Sequence, residues 1–292
     1  MKIKIALLNL LLILITSCVS TQTSVVKYVV YSSFIDKEAR SEDIFVKDLS
    51  TGSIKQLTHS GNNQYPSWSP DGSKIIFASF TKENLYDINI MDKDGSNQTP
   101  LINTSANERQ ADISPNGTEI VFISNKDGND EIYKIDLETK NITRLTNSAL
   151  DEAFPKWSPD GNSIVFVKSI DGGRTQIYTM DASGRNIKEL TKFTPEGFDR
   201  DPVFCPDETC IIFMRLSNPD KLMRLDLTSG KLTHLISDDR FDSKNQGFPV
   251  RSPVSGYITF FILDSGESYS MNMNSKEIHP LGVNSVSLMV YP

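Results

Sequence analysis

The amino-acid sequence predicts an all-β, six-bladed β-propeller of four-stranded antiparallel blades. Three observations lead to this prediction: a motif that recurs along the chain, four strand patterns in most copies, and a spare strand at the C-terminal end. Four short strands in a repeat of roughly 40–45 residues are typical of a propeller blade. Because a single blade cannot bury both of its faces, the core of such a protein forms between neighbouring blades.

The clearest copy of the repeat lies at 151–191. It contains Phe-Pro-Lys-Trp-Ser-Pro-Asp-Gly at 154–161, followed by strand patterns at 162–169, 176–181 and 186–191. In the turn Ser-Pro-Asp-Gly, proline presets φ, aspartate can bond the turn backbone, and glycine takes the positive-φ position. The β-branched and aromatic residues between these turns alternate as they do in strands and hairpins.

The turn proline marks five copies, with successive spacings of 45, 44, 47 and 47 residues. The markers are Pro70, Pro115, Pro159, Pro206 and Pro253. A sixth unit precedes them, because 28–33, 43–48 and 56–58 match the later strands of the repeat, while its leading strand is missing. We therefore predict that the segment 285–291 joins the first blade as its innermost strand and closes the ring without an open edge. The predicted propeller covers 26–292.

The first 18 residues have the pattern of a secretory signal peptide. Lys2 and Lys4 precede an apolar run from 5 to 15, and small residues at 16–17 precede Cys18. The apolar run is too short to serve as a stable membrane span. Cysteine directly after small residues resembles a bacterial lipobox, in which that cysteine becomes the lipidated first residue of the mature protein; the alternative is a plain signal peptide with an incidental cysteine. Residues 19–25 are predicted to form a polar tether.

The charge balance bears on the class of partner. Removing the two lysines of the signal changes the formal net charge from −7 to −9. A nucleic-acid-binding protein would need a basic face, so nucleic acid is not an expected partner. We expect a monomer attached to the membrane through its N-terminal lipid, in the cell envelope on the periplasmic face of the outer membrane.

The two remaining cysteines, Cys205 and Cys210, flank a turn. In an oxidising compartment such a pair is predicted to form a disulfide, and the alternative of a redox or metal-binding pair lacks neighbouring histidine or basic residues. Two other loops, 92–95 and 125–131, have some of the oxygen ligands of calcium loops but not the full set. They are predicted to be turns, and no metal or other cofactor is predicted.

The sequence gives no sign of a catalytic centre. It contains no Gly-x-Ser-x-Gly motif. The three histidines, His59, His234 and His279, occupy no common position in the repeat, so they are predicted to be surface residues instead of a shared metal or acid–base site. Two tryptophans and a phenylalanine of the repeat, Trp68, Trp157 and Phe204, are predicted to fill the wedge between blades. The expectation is a protein without catalytic residues.

The motif Pro-x-Trp-Ser-Pro-Asp-Gly, followed by Ile-x-Phe-x-Ser, Ile-Tyr-x-Met-Asp and Leu-Thr, resembles the WD-like repeat of TolB-type propellers. The resemblance covers nearly all of the chain after the signal. TolB is a soluble periplasmic protein with an α/β domain ahead of its propeller, whereas this sequence has only the short tether there. The resemblance implies an envelope protein or peptide as partner, similar to the peptidoglycan-associated lipoprotein that TolB binds. Related propellers also cover prolyl-peptidase-type enzymes and form oligogalacturonate lyases.

Variable loops on a rigid scaffold are where binding residues concentrate. In a propeller, the loops that enter each innermost strand surround one mouth of the central channel, and the Ser-Pro-Asp-Gly turns lie on the opposite face. The predicted partner-binding face is Asn62, Asn63, Gln64, Glu108, Arg109, Asp151, Glu152, Asp199, Arg200 and Asn245.

Two hypotheses of function follow. The favoured one is a non-catalytic envelope lipoprotein that acts as a protein–protein interaction scaffold through this face. The alternative is a polysaccharide-acting enzyme, similar to oligogalacturonate lyase, with its site in the central channel.

Overall fold

The computed structural model describes residues 27–36, 41–81, 85–170, 173–192, 198–252, 256–284 and 287–291. The predicted signal peptide with its lipidation site at Cys18, and the predicted tether at 19–25, lie outside these residues. None of the described segments forms an apolar helix of membrane-spanning length.

The described residues form 24 strands. The strands of the first three blades are β1 (Tyr28–Asp36), β2 (Ser41–Asp48), β3 (Ile54–Gln56), β4 (Asn63–Trp68), β5 (Lys74–Phe80), β6 (Tyr86–Asp92), β7 (Thr99–Ile102), β8 (Glu108–Ile113), β9 (Glu119–Ser124), β10 (Glu131–Asp136) and β11 (Ile142–Arg144). The others are β12 (Glu152–Trp157), β13 (Ser163–Ile170), β14 (Arg174–Asp181), β15 (Lys188–Glu189), β16 (Phe198–Phe204), β17 (Cys210–Leu216), β18 (Lys221–Asp226), β19 (Leu232–His234), β20 (Gln246–Arg251), β21 (Tyr257–Ile262), β22 (Glu267–Asn272), β23 (Ile278–Asn284) and β24 (Ser287–Tyr291).

These strands make six four-stranded antiparallel sheets, which confirms the predicted fold class. Blades 2 to 6 each use four consecutive strands, from β4–β7 to β20–β23. Blade 1 has the order β24-β1-β2-β3, so the C-terminal strand is its innermost member, as predicted. The pairing of β24 with β1 runs without a shift from Tyr28 opposite Tyr291 to Ser32 opposite Ser287.

The core lies between neighbouring blades. Trp157 of blade 4 packs in one cluster with Val121 and Ile132 of blade 3, and its indole Nε1 donates to the carbonyl of Asp112 at 3.2 Å. Trp68, Trp157 and Phe204 are 4%, 1% and 5% exposed, so the prediction that they fill the wedges between blades is confirmed. A buried aromatic side chain contributes a large apolar area, which accounts for its recurrence at this place in the repeat.

The Ser-Pro-Asp-Gly turns close as their residue types require. In the fourth blade, Ser158 Oγ donates to Asp160 Oδ1 at 2.6 Å and the Asn162 amide donates to the same oxygen at 2.9 Å. Gly161 has a φ of +74°, a conformation that glycine adopts without steric cost. These rigid turns occupy one face of the ring, which leaves the variable loops on the other.

Candidate functional site

A bulge interrupts the innermost strand in blades 2 to 6. In each of them the register with the second strand shifts, and one residue at the shift has a positive φ. Such a conformation costs a residue other than glycine on the order of 1–3 kcal/mol, and a bulge re-aims a side chain. All five line the central cavity, and we call them the bulge ring: Tyr65 (φ 55°), Gln110 (φ 55°), Phe154 (φ 52°), Asp201 (φ 52°) and Phe248 (φ 50°).

The central cavity has a volume of about 450 Å³, which is within the range of small-ligand sites. Blades 2 to 6 line it with their innermost strands. Blade 1 differs, because β24 pairs with β1 without a bulge. On that side the cavity is lined by Ser32 of the second strand and Glu42 of the third.

Arg200 contacts two aromatic side chains of the bulge ring. The Arg200 guanidinium is 5.2 Å from the ring centre of Phe154 and 5.8 Å from that of Phe248, distances typical of cation–π contacts. Its Nε donates to Asp201 Oδ2 at 2.9 Å. Burial raises the pKa of the Asp201 carboxyl, and the neighbouring Arg200 charge opposes that rise. The wall here holds a guanidinium with two aromatic faces and one carboxylate.

The other cation of the cavity wall, Lys156, is also paired. Its Nζ lies 3.2 Å from Asp112 Oδ1, and the backbone amide of Trp157 donates to the second oxygen of that carboxylate at 2.9 Å. The amide of Phe154 donates to Gln110 Oε1 at 2.7 Å. These bonds fix the innermost strand of blade 4 against that of blade 3.

Within the described part of the chain, the partners that donate to the Glu42 carboxylate are neutral groups. Ser32 Oγ donates to Oε2 at 2.8 Å, and Gln64 Nε2 donates to Oε1 at 3.3 Å. The residue is 6% exposed, and burial raises the pKa of its carboxyl. A buried carboxylate with neutral partners is one that a positive charge would stabilise.

The structure places some residues of the predicted partner-binding face in the interior and the others at the surface. Four of the ten residues are buried, with exposures of 3% for Asn63, 1% for Glu108, 1% for Glu152 and 3% for Asp199. Asn63 donates to Asp43 across the blade junction at 2.8 Å. These four side chains contact neighbouring strands, so a docked partner would not reach them.

The other six lie at or near the surface of this face. Arg109 is ion-paired with Asp130, and Asn245 donates to Asp264 at 2.6 Å. Asn62 and Asp151 are exposed, and Gln64 and Arg200 reach from the surface into the cavity wall.

Apolar side chains that the sequence analysis did not single out are exposed around the same mouth. They are at the end of β1, in the bulge of β4, and before or at the start of β12 and β16. We call this set the mouth face: Phe34 (38% exposed), Ile35 (49%), Tyr65 (44%), Leu150 (39%) and Phe198 (39%). Exposed apolar side chains grouped around an opening are typical of an interaction surface.

A buried pair of glutamates lies at the junction of blades 3 and 4. Glu131 Oε1 accepts from Arg144 Nη2 and from the amide of Ser148, each at 2.8 Å. Glu152 Oε1 accepts from Ser148 Oγ at 2.7 Å and lies 3.4 Å from Lys168 Nζ. The Oε2 atoms of both glutamates are buried and accept no hydrogen bond from the residues that the structure describes. Burial, together with the Glu131 carboxylate, raises the pKa of Glu152 to about 7, whereas the pKa of Glu131 is lowered.

The histidines and cysteines take no part in this site. His59, His234 and His279 are exposed, which confirms their prediction as surface residues. Among the residues that the structure describes, one group could place three ligand atoms around a metal: Cys205, Asp207 and Cys210. Its two cysteines are joined in a disulfide with their Cα atoms 5.3 Å apart, so their sulfurs are not free to bind a metal.

Comparison with known proteins agrees with this architecture. The model of the TolB beta propeller domain matches residues 6–243 and 112–278. TolB from Acinetobacter baumannii superimposes with a TM-score of 0.72 at 22% identity, over 91% of this chain and 67% of that one. Putative TolB from Agrobacterium tumefaciens gives 0.59 at 18% identity, over 72% and 81%. An oligogalacturonate lyase in complex with manganese gives 0.61 at 12% identity, over 87% and 73%.

At these identities the structural likeness establishes the fold and leaves the activity open. The family model covers most of the chain, including all six blades in part. The protein belongs to the TolB beta propeller domain family.

Proposed function

We propose that the protein is a non-catalytic, lipid-anchored protein of the cell envelope whose mouth face docks a partner protein or peptide. The observation that carries the proposal is the bulge ring. Five strained residues aim their side chains into one cavity, and strain of this kind is retained where it serves a function. The exposed apolar residues of the mouth face surround the same opening.

The chemistry of this region favours a polypeptide partner. Aromatic side chains and arginine are enriched at the centre of protein interfaces, and Tyr65, Phe154, Arg200 and Phe248 meet at the channel. Exposed Leu150 and Phe198 add apolar area at the rim. Membership in the TolB beta propeller domain family supports an envelope partner similar to a peptidoglycan-associated lipoprotein.

Attachment to the membrane rests on the sequence around Cys18. Lipidation there would hold the propeller close to the periplasmic face of the outer membrane, within reach of such a partner. The test is incorporation of labelled palmitate by cells that express the protein. Label on the wild type and none on Cys18→Ser supports the anchor, and equal label on both contradicts it.

Docking is tested by affinity capture from detergent-solubilised cell envelope. We expect the wild type to retain one or a few specific proteins, and Arg200→Glu and Leu150→Glu to lose them. Lys231→Glu is the matched control, because it makes a charge change at an exposed position in the turn between β18 and β19, on the opposite face. Melting curves of all variants show whether the fold is kept. The proposal fails if capture is absent, or if the mouth variants and the control behave alike.

An enzymatic arm completes the test. Oligogalacturonate is incubated with the protein and a divalent metal such as Mn²⁺, and formation of unsaturated product is followed by absorbance. We expect no turnover. Turnover above that of a blank would replace the docking proposal with polysaccharide cleavage in the channel.

A further inference from the structure

The carboxylate of Glu42 differs from the other charged groups that line the cavity. Arg200 is paired with Asp201 at 2.9 Å and Lys156 with Asp112 at 3.2 Å. In the described part of the chain, no cation forms an ion pair with Glu42, whose carboxylate accepts from a hydroxyl and an amide. Within the described residues, Glu42 is thus a cavity-lining acid whose charge is not matched by a cationic side chain.

Glu42 lies on the blade 1 side of the cavity. In blades 2 to 6 the bulged innermost strands line the cavity, joined in blade 6 by Phe261 of the second strand, β21. In blade 1 the unbulged strand β24 adds no member to the bulge ring, and Ser32 and Glu42 line the cavity there. We call this part of the cavity wall, lined by Ser32 and Glu42, the recess.

We propose that this recess binds a cationic group, a guanidinium or an ammonium, carried by the docked peptide, with Glu42 as its acceptor. The inference rests on the proposed docking function and specifies the chemistry of the partner. The two carboxylate oxygens of Glu42 can accept further hydrogen bonds. A charge-assisted hydrogen bond is roughly twice as strong as a neutral one.

Aromatic side chains that suit a cation line the same cavity as Glu42. Tyr65 of the bulge ring and Phe261 line the same cavity, and aromatic faces attract cations. The opposite wall already contains such an arrangement, in which Arg200 lies over Phe154 and Phe248 and bonds to Asp201. The cavity at the recess offers the same two components, aromatic rings and a carboxylate, and no cation of the described residues forms an ion pair with that carboxylate.

Electrostatics supports this assignment. Burial raises the pKa of the Glu42 carboxyl, which means that the folded protein gives this charge less stabilisation than water does. A cation that enters the recess would restore that stabilisation. The formal net charge of −7 also favours the approach of a positive ligand.

The test uses three blocked tripeptides of the same size: acetyl-Gly-Arg-Gly-amide, acetyl-Gly-Lys-Gly-amide, and the analogue with citrulline. Citrulline has nearly the shape of arginine and no charge. Binding is measured by ligand-observed nuclear magnetic resonance at millimolar concentrations. We expect the arginine or the lysine peptide to bind at least about tenfold more tightly than the citrulline peptide, as for a hydrogen bond to a charged group.

Glu42→Gln should abolish the preference for the charged peptides. The Ser32 hydroxyl and the Gln64 side-chain amide can still form hydrogen bonds with the new side chain. Glu277→Gln, at an exposed position on the outer side of blade 6, is the matched control and should keep it. Equal binding of all three peptides, no binding of any, or an unchanged preference in Glu42→Gln overturns the inference. If these outcomes occur while affinity capture still depends on the mouth face, the docking proposal survives and the cation site alone is wrong.

Discussion

The glutamate pair between blades 3 and 4 should make the stability of the protein depend on pH. Both Oε2 atoms are buried and have no hydrogen-bond partner among the described residues, and a single proton shared by the two carboxyl groups would satisfy both. That proton belongs mainly to Glu152, whose pKa burial and the Glu131 carboxylate raise to about 7. The ordinary value of a glutamate, 4.5, applies to the unfolded chain.

The sign of the effect follows from these two values. Between pH 4.5 and about 7 the folded protein holds a proton that the unfolded chain has lost. The contribution of Glu152 to the free energy of unfolding is therefore largest below pH 4.5 and is lost as pH rises through about 7. At about 1.4 kcal/mol for each pH unit, the loss between about pH 5 and about pH 8 is on the order of 2–3 kcal/mol.

The variant Glu152→Gln isolates this contribution, because its amide N–H takes the place of the proton at every pH. Denaturant unfolding is followed by the fluorescence of the two tryptophans, of which Trp157 lies on the same strand as Glu152, β12. From about pH 5 to about pH 8, the free energy of unfolding of the wild type should fall by on the order of 2–3 kcal/mol more than that of the variant. Glu277→Gln, at an exposed site, should follow the wild type. Parallel pH profiles for wild type and Glu152→Gln would show that no proton is shared.

Three further predictions concern the ring itself. Removing β24 leaves an edge of β1 unpaired, so the midpoint of thermal unfolding measured by circular dichroism should fall by about 10 °C or more; an unchanged midpoint would contradict closure by this strand. Trp157→Ala should cost about 3–5 kcal/mol in denaturant unfolding because the side chain is fully buried, and a cost below about 1 kcal/mol would exclude it from the core. Gly184→Ala should destabilise the protein by at least about 1 kcal/mol more than Gly230→Ala. Both glycines have a positive φ, but a Cβ at Gly184 would lie 2.6 Å from the carbonyl oxygen of Leu145, and one at Gly230 would have nothing within 4 Å. Equal costs would mean that only backbone strain matters.

The fold could be predicted because its signals are local and repeated. The turn of Ser158, Asp160 and Gly161 forms from residues within one short segment, and the wedge tryptophans recur at the same place in the repeat. Closure by β24 also followed, because a unit without an innermost strand and a strand without a partner stood at opposite ends of the chain.

The bulge ring could not be predicted in the same way. Tyr65, Phe154 and Phe248 are aromatic residues directly before proline, a context that favours extended backbone over left-handed backbone. The tertiary setting of the channel overrides that preference. The one signal was the recurrence of proline after the bulge residue, at Pro66, Pro155, Pro202 and Pro249, and it identifies the position without revealing its conformation.

The binding face was predicted in part for a related reason. Sequence analysis treated whole loops as exposed, whereas the first residues of the innermost strands, such as Asn63 and Glu108, turn towards the neighbouring blade. The pairing of Glu131 with Glu152 joins consecutive repeats, and no local sequence motif predicts it. The exposure of apolar residues such as Leu150 could not be predicted either, because the sequence pattern does not separate a buried from an exposed leucine in a short loop.

The pairing of Tyr28 with Tyr291 has a consequence for how the molecule is made. When the chain is synthesised from its N-terminus, one edge of β1 stays unpaired until almost the whole polypeptide is available. Contacts between residues so distant in sequence form slowly. During that interval the C-terminal strand of a second molecule can pair equally well with the unpaired edge of β1. Refolding at high concentration should therefore yield intertwined dimers that exchange this strand, and dilute refolding should yield single closed rings.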